Sequence, residues 1–122
     1  MVKVIEFDET VTLKKQLEED VGSVILIDKF TVNPEDVDRF LKTWASVSEI
    51  VKKHPGVIST QLYRGIAGSC VFVGYIVFES TAAIKQLYNS HDFQSKISEY
   101  PASFVVTAHI FKKVAVPGIC VV

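Results

Sequence analysis

The chain predicts an α+β domain of the split βαβ kind, and three observations carry that expectation. Between residues 24 and 112 the elements run strand, helix, strand, strand, helix, strand, an order that closes into one antiparallel sheet with both helices on a single face. The run Cys70-Val-Phe-Val-Gly-Tyr-Ile-Val-Phe78 is almost continuously apolar, rich in β-branched and aromatic residues and free of proline. That composition suits a central strand covered on both faces, and the run is too short to cross a bilayer, which takes about 20 apolar residues. Helix starts at Asn33-Pro34 and at Ser80 sit where this ferredoxin-like order needs them.

Each element has its own local reason. Residues 2 to 7, Val-Lys-Val-Ile-Glu-Phe, can make a short strand, and Leu13, Leu17 and Val21 form one stripe of a short helix that Gly22 can end. This leader reads as an elaboration at the edge of the core. Val24 to Val32 is the first core strand. Asn33-Pro34-Glu35-Asp36 then supplies an N-cap, a proline at the first helical position and acids beside the positive end of the helix dipole. Val37, Phe40, Leu41, Trp44, Val47 and Val51 recur at helical spacing, and His54-Pro55-Gly56 stops the helix.

Val57 to Arg64 is the second strand. Gly65 to Ser69 is a hairpin-length loop with glycine at two turn positions, leading into the central strand. After Ser80 a second helix places Ala83, Ile84, Leu87 and Tyr88 on one side. Ser90 caps a continuation with Phe93, Ile97 and Tyr100, and Pro101 ends it. Ser103 to Phe111 is the last core strand. The tail from Val114 to Val122 is apolar with a Pro-Gly turn, and is expected along the sheet or on a partner. The whole, residues 1–122, reads as a single domain with its core at about 24–112.

Alternation sharpens the expectation for the central strand. Cys70, Phe72, Gly74, Ile76 and Phe78 face one way, and Val71, Val73, Tyr75 and Val77 the other. Two helices on one side can cover only the first set. The second set is expected to meet the same face of another copy, which makes the protein a homodimer.

Bulk numbers exclude several classes. With 13 Lys and Arg against 14 Asp and Glu and no basic block, neither nucleic acid nor an anionic membrane is the expected partner. Cys70 and Cys120 each sit in an apolar run without metal-ligand spacing, as small buried hydrophobes of a reducing compartment do. Glu6, Asp8 and Glu9 near the start argue against a secretory signal. A cytoplasmic location is the expectation.

Four pieces in order carry a resemblance to a known family: Asn33-Pro34-Glu35-Asp36 opening a helix, His54-Pro55-Gly56-Val57-Ile58-Ser59, the turn Phe78-Glu79-Ser80, and Ser90-His91-Asp92-Phe93-Gln94. Over about residues 24 to 112 the chain resembles the antibiotic biosynthesis monooxygenase (ABM) family. The resemblance implies a dimeric α/β barrel of two packed sheets. It also implies oxygenation of aromatic substrates such as anthrones and quinols by molecular oxygen without metal or flavin, although relatives degrade haem or act on small signalling molecules. Oxygenating members usually carry tryptophan where this chain has Phe78, and several carry asparagine where it has Gly74. An amide and an indole N–H can hold a substrate oxygen or a developing oxyanion. Gly74 and Phe78 can do neither.

Other groups must then take over. His109, in the last strand among apolar residues, can act as a base on an activated C–H or phenol, or can be a core or interface histidine with a satisfied hydrogen bond. His91 follows the cap at Ser90 and can stand at a pocket rim. His54 precedes Pro55 at a helix end, where a dipole contact accounts for it. The three histidines lack HxH or HxxxH spacing, so no metal site is expected, nor flavin or haem, since no phosphate-cradling loop or placed axial ligand is visible. Tyr63, Tyr75 and Tyr100 can bond a bound aromatic or serve packing. Asp28, among hydrophobes in the first core strand, needs a partner if buried. Removing side-chain volume at Gly74 predicts an apolar cavity between Phe72, Phe78 and the helix residues Phe40 and Trp44, with His109 or His91 at its edge. The expected activity is cofactor-independent monooxygenation of a small hydrophobic aromatic or quinol. The alternatives are a non-catalytic barrel that binds a small apolar molecule, and a haem-binding relative.

Overall fold

The computed structural model describes residues 3–120; Val2 of the expected first strand and Val121-Val122 of the tail lie outside the described residues. Strand β1 (Lys3–Glu6) and helix α1 (Leu13–Gln16) precede β2 (Val24–Thr31), a 3-10 turn (Pro34–Asp36), α2 (Val37–Lys53), β3 (Val57–Arg64), β4 (Val71–Phe78), α3 (Thr81–Tyr88), α4 (His91–Ile97) and β5 (Val105–Phe111). The five strands form one sheet in the order β1-β5-β2-β4-β3. All pairs are antiparallel except β1 with β5. Without β1 this is the ferredoxin-like arrangement, and β1 adds a fifth strand along the β5 edge. No helix among the described residues is long and apolar enough to cross a membrane.

Local chemistry explains most boundaries. Ser80 Oγ accepts from the Ala83 N–H at 3.2 Å and Ser90 Oγ from the Phe93 N–H at 3.3 Å, which caps α3 and α4 as their sequence promises. Asn33 differs: its side chain makes no cap bond, and Pro34–Asp36 winds as a 3-10 turn before α2 begins at Val37. At the other end of α2, His54 is extended (ψ 134°), as a residue before proline must be. Gly56 follows at φ +92°, where a side-chain carbon would lie 2.5 Å from the Ala83 Cβ. Backbone sterics and the approach of α3 both demand glycine there. Helix α1 stops at Gln16 although the apolar stripe runs on to Val21. Glu18, Glu19 and Asp20 would place three acids at the negative end of a longer helix. Leu17 and Val21 pack on the core all the same.

The helix-facing side of the sheet holds the core. Phe40 of α2 is fully buried at its centre, with ring centroids 4.9 Å from Phe30, 4.8 Å from Phe72 and 5.5 Å from Phe104. On β4 the alternation divides as its sequence implies: Phe72, Gly74, Ile76 and Phe78 are buried, while Val71, Val73, Tyr75 and Val77 are only half-buried. Only one face of this strand is fully covered, and the central position belongs to β2, with β4 beside it. Leu41, on the flank of the α2 stripe, is exposed. Of the two places expected for the tail, the structure overturns the sheet. Residues 112–120 are exposed and fold on themselves through a Val116–Cys120 bridge around Gly118, rather than lying along the sheet.

Candidate active site: an apolar cavity with one carboxyl

Between the sheet and its helices lies a cavity of about 260 Å³. Its floor is Leu26, Asp28 and Phe30 of β2, Ile76 of β4, and Val106 and Ala108 of β5. Its roof is Trp44, Val47, Ser48 and Val51 of α2, with Leu87 and Tyr88 of α3, Phe93 and Ile97 of α4, and Tyr100 completing the walls. Val4 and Leu13 close one side, so the leader helps to build the chamber. Such a hollow, mainly apolar with a few convergent polar groups, is the usual form of a small-molecule site.

Asp28 is the one ionisable acid in that lining. It shares the parity of Val24, Leu26 and Phe30, which turns it to the helix side. Register sets it between two small residues: Gly74 on β4 and Ala108 on β5. A side-chain carbon on Gly74 would stand 3.7 Å from Asp28 Cβ and 3.8 Å from its Oδ2, in ordinary van der Waals contact with the carboxyl. Asp28 is half-buried, with part of its surface facing the hollow and the rest packed in protein. Without bulk water the charged form is disfavoured, and burial alone pushes the carboxyl from the ordinary 3.8 up to about 7. Tyr88 and Tyr100 answer to the same site. Burial first, and then the negative charge of Asp28, hold both phenols above the usual tyrosine range. At neutral pH both are uncharged hydroxyl donors.

The residues expected at the site fall in different places. Trp44 lines the cavity. Phe40, Phe72 and Phe78 are fully packed core and do not line it. The space expected above Gly74 is taken by Phe30 and Asp28, each within 4 Å of where its side chain would start, which moves the hollow along the sheet toward Ala108. His91 opens α4 and is exposed. His109 lies on the face of β5 away from the helices, since Val106, Ala108 and Ile110 take the core side. There it stacks on Phe7 at 5.5 Å and meets Gln16 Nε2 at 3.1 Å through Nε2. Gln16 also bonds both backbone groups of Ile110, at 2.9 and 3.0 Å, finishing the β5 edge where β1 runs out. Neither expected histidine reaches the cavity. Among the described residues no three His, Cys, Asp or Glu side chains converge as a metal site.

Tyr100, weighed in the sequence as a hydrogen-bonding group for an aromatic, does line the cavity, whereas Asp28, Ser48 and Tyr88 are polar members that were not expected there as site residues. A signal existed in part: a carboxyl on the core-facing parity of a strand, when the neighbouring strand carries an interior glycine, marks a place where something approaches the backbone closely.

Comparison with known proteins agrees with the fold. Residues 23–96, more than half of the chain, match the antibiotic biosynthesis monooxygenase family. No curated protein sequence matches. Among solved structures, SnoaB, a cofactor-independent oxygenase from Streptomyces nogalater, superposes with a TM-score of 0.70 at 17% identity, covering 80% of this chain and 99% of its own. A Caulobacter crescentus CB15 protein described as a candidate antibiotic biosynthesis monooxygenase gives 0.65 at 19%, covering 77% of this chain and 92% of its own. Rv0793 from Mycobacterium tuberculosis gives 0.64 at 15%, covering 79% and 99%. On the matched profile and the shared architecture, the chain belongs to the antibiotic biosynthesis monooxygenase family.

Proposed function

We propose that the protein is a monooxygenase that oxidises a small, flat, hydrophobic aromatic or quinol with molecular oxygen, needing no flavin, haem or metal. The observation that carries this reading is the apolar cavity between sheet and helices, walled by Trp44, Tyr88 and Phe93. Family membership and the fold shared with a cofactor-independent oxygenase support it. An activated aryl methylene can itself act as reductant: one oxygen atom enters as a carbonyl, and the two hydrogens leave with the other oxygen as water. No external electron donor is then required, and the protein has to bind, orient and move a proton. With anthrone or a dihydroxynaphthalene, the expected result is oxygen uptake above the autoxidation rate, one molecule per molecule of substrate. A non-catalytic barrel is the second reading, favoured by Gly74 and Phe78 at the places where oxygenating relatives carry polar donors. Quenching of the single tryptophan, Trp44, by these compounds without oxygen uptake would decide for it. A haem-binding role finds no histidine in the cavity lining.

The same reading includes a homodimer. The sheet face away from the helices presents Ile25, Ile27, Val73, Tyr75 and Val77 half-buried and Phe111 exposed, a run of apolar side chains of the kind that marks an interaction surface. Sedimentation is expected to show a dimer at micromolar concentration, and Val73→Asp to shift it to monomer. A stable, soluble wild-type monomer would overturn this part.

A further inference from the structure

We propose that Asp28 is the group that recognises the bound molecule, taking the weakly acidic hydroxyl of a hydroxyaromatic ligand as its hydrogen-bond partner and then accepting its proton. For the oxidation that follows, though not for recognition, this rests on the oxygenase reading above. Three features of the site converge. Asp28 stands on the cavity floor, and register flanks it with Gly74 and Ala108, so neither neighbouring strand shields the carboxyl from above. Among the described residues no charged partner stabilises it, and burial is the one cause behind its shift to about 7. A half-buried acceptor without a donor from the protein is costly, and an arriving donor relieves that cost.

The ligand's chemistry follows from what the cavity offers. An ammonium brings three donors, and in this lining Asp28 is the only anionic acceptor, amid apolar walls. A hydroxyl brings one donor, which one carboxylate satisfies. The rest of the ligand must be apolar and flat to lie between Trp44 and the sheet. In the proton step the ligand O–H bond breaks, an O–H bond forms on the carboxylate, and the electron pair stays on the ligand as an aryloxide. The pair carries one negative charge before and after. The aryloxide is the electron-rich form that molecular oxygen oxidises. Asp28 is suited to this task because a base poised near the working pH combines availability with driving force. The other titratable groups facing it are Tyr88 from α3 and Tyr100 beyond α4; β1, α1, α2, β4 and β5 contribute none to the lining. Both phenols remain neutral across the range in which Asp28 titrates.

The test compares 2-naphthol with its methyl ether, 2-methoxynaphthalene, on the full chain, read by quenching of Trp44. Near pH 8.5, with Asp28 ionised, naphthol is expected to bind about tenfold more tightly than the ether, in line with a hydrogen bond to a charged group. Near pH 5.5 the preference should shrink, with a midpoint at about 7. In Asp28→Asn the ether should bind as before, and naphthol should lose both its preference and its pH dependence. Equal binding of the two probes to the wild type at both pH values would overturn the proposal, and so would a pH-dependent preference that survives in Asp28→Asn. Stronger binding of 2-naphthylmethylamine than of naphthol near pH 8.5 would overturn it in favour of a cationic ligand. If naphthol binds through Asp28 and no aromatic substrate supports oxygen uptake, the inference stands and the oxygenase reading falls.

Discussion

Replacing Asp28 with asparagine is expected to raise the melting temperature near pH 8 by about 10 °C, while leaving it almost unchanged near pH 4. The direction follows from linkage. Asp28 has its carboxyl raised in the folded state, from 3.8 to about 7. The folded protein therefore keeps this proton over a range in which the unfolded chain has already lost it. As pH rises from about 4 to about 7, the unfolded state binds fewer protons, and stability falls. Below that window both states are protonated and the residue costs nothing. Above it the full cost is present: at 1.36 kcal/mol per pH unit the displacement amounts to about 4 kcal/mol. Asp28 is only half-buried, and that partial exposure screens the carboxylate, which brings the expected gain to roughly 2–3 kcal/mol. Asparagine keeps the shape and has no proton to lose, so its stability should be flat across the window. Thermal denaturation of both proteins between pH 4 and pH 8.5 checks this. Parallel curves, or a gain near pH 4 as large as that near pH 8, would show that Asp28 is not held protonated in the fold. A stabilised variant with weakened recognition of naphthol would mark Asp28 as a residue whose retention costs stability in return for chemistry.

How far the sequence foretold this site depends on which residue is asked. The order of elements, the caps at Ser80 and Ser90 and the division of β4 into two faces rest on local rules, and each is realised. Side-chain parity and capping act over two to four residues, so they are visible along the chain. Where the hollow opens is a different kind of question. Gly74, expected to line the hollow, sits opposite Asp28 on the neighbouring strand, with Phe30 and Asp28 packed against it. That depends on cross-strand register between β2 and β4 and between β2 and β5, and a single sequence carries no signal of register at that distance. His109 attracted notice as a histidine among apolar residues. Its parity, shared with Thr107 and Phe111, already set it opposite Val106, Ala108 and Ile110, yet only the sheet shows which of those sets the helices cover. The leader shows the same limit. Nothing local says that Leu13 will close a cavity or that Gln16 will stand in for a missing strand at Ile110.

Ala108→Leu is expected to close the chamber while leaving the fold intact, with binding of both naphthol and its methyl ether reduced by about a hundredfold or more, equivalent to roughly 3 kcal/mol. Ala108 lies directly beside Asp28 in register, is buried, and forms part of the cavity floor. Leucine adds three carbons pointing off the sheet into space that is already apolar. Filling such space recovers about 0.8 kcal/mol per buried methylene, offset by any strain in fitting the branched end beneath α2. The net effect on stability should be between zero and about 2 kcal/mol in favour of the variant. This outcome separates two kinds of damage. Asp28→Asn removes the preference for a hydroxyl and leaves the ether bound, whereas Ala108→Leu removes the volume and excludes both probes. Oxygen uptake with any aromatic substrate should fall in step with binding. Normal binding in the leucine variant would place the ligand elsewhere on the protein. A loss of more than about 3 kcal/mol in stability would mean that the space beneath Trp44 and Val47 is too tight for three carbons. A flat aromatic ligand would then not fit there either.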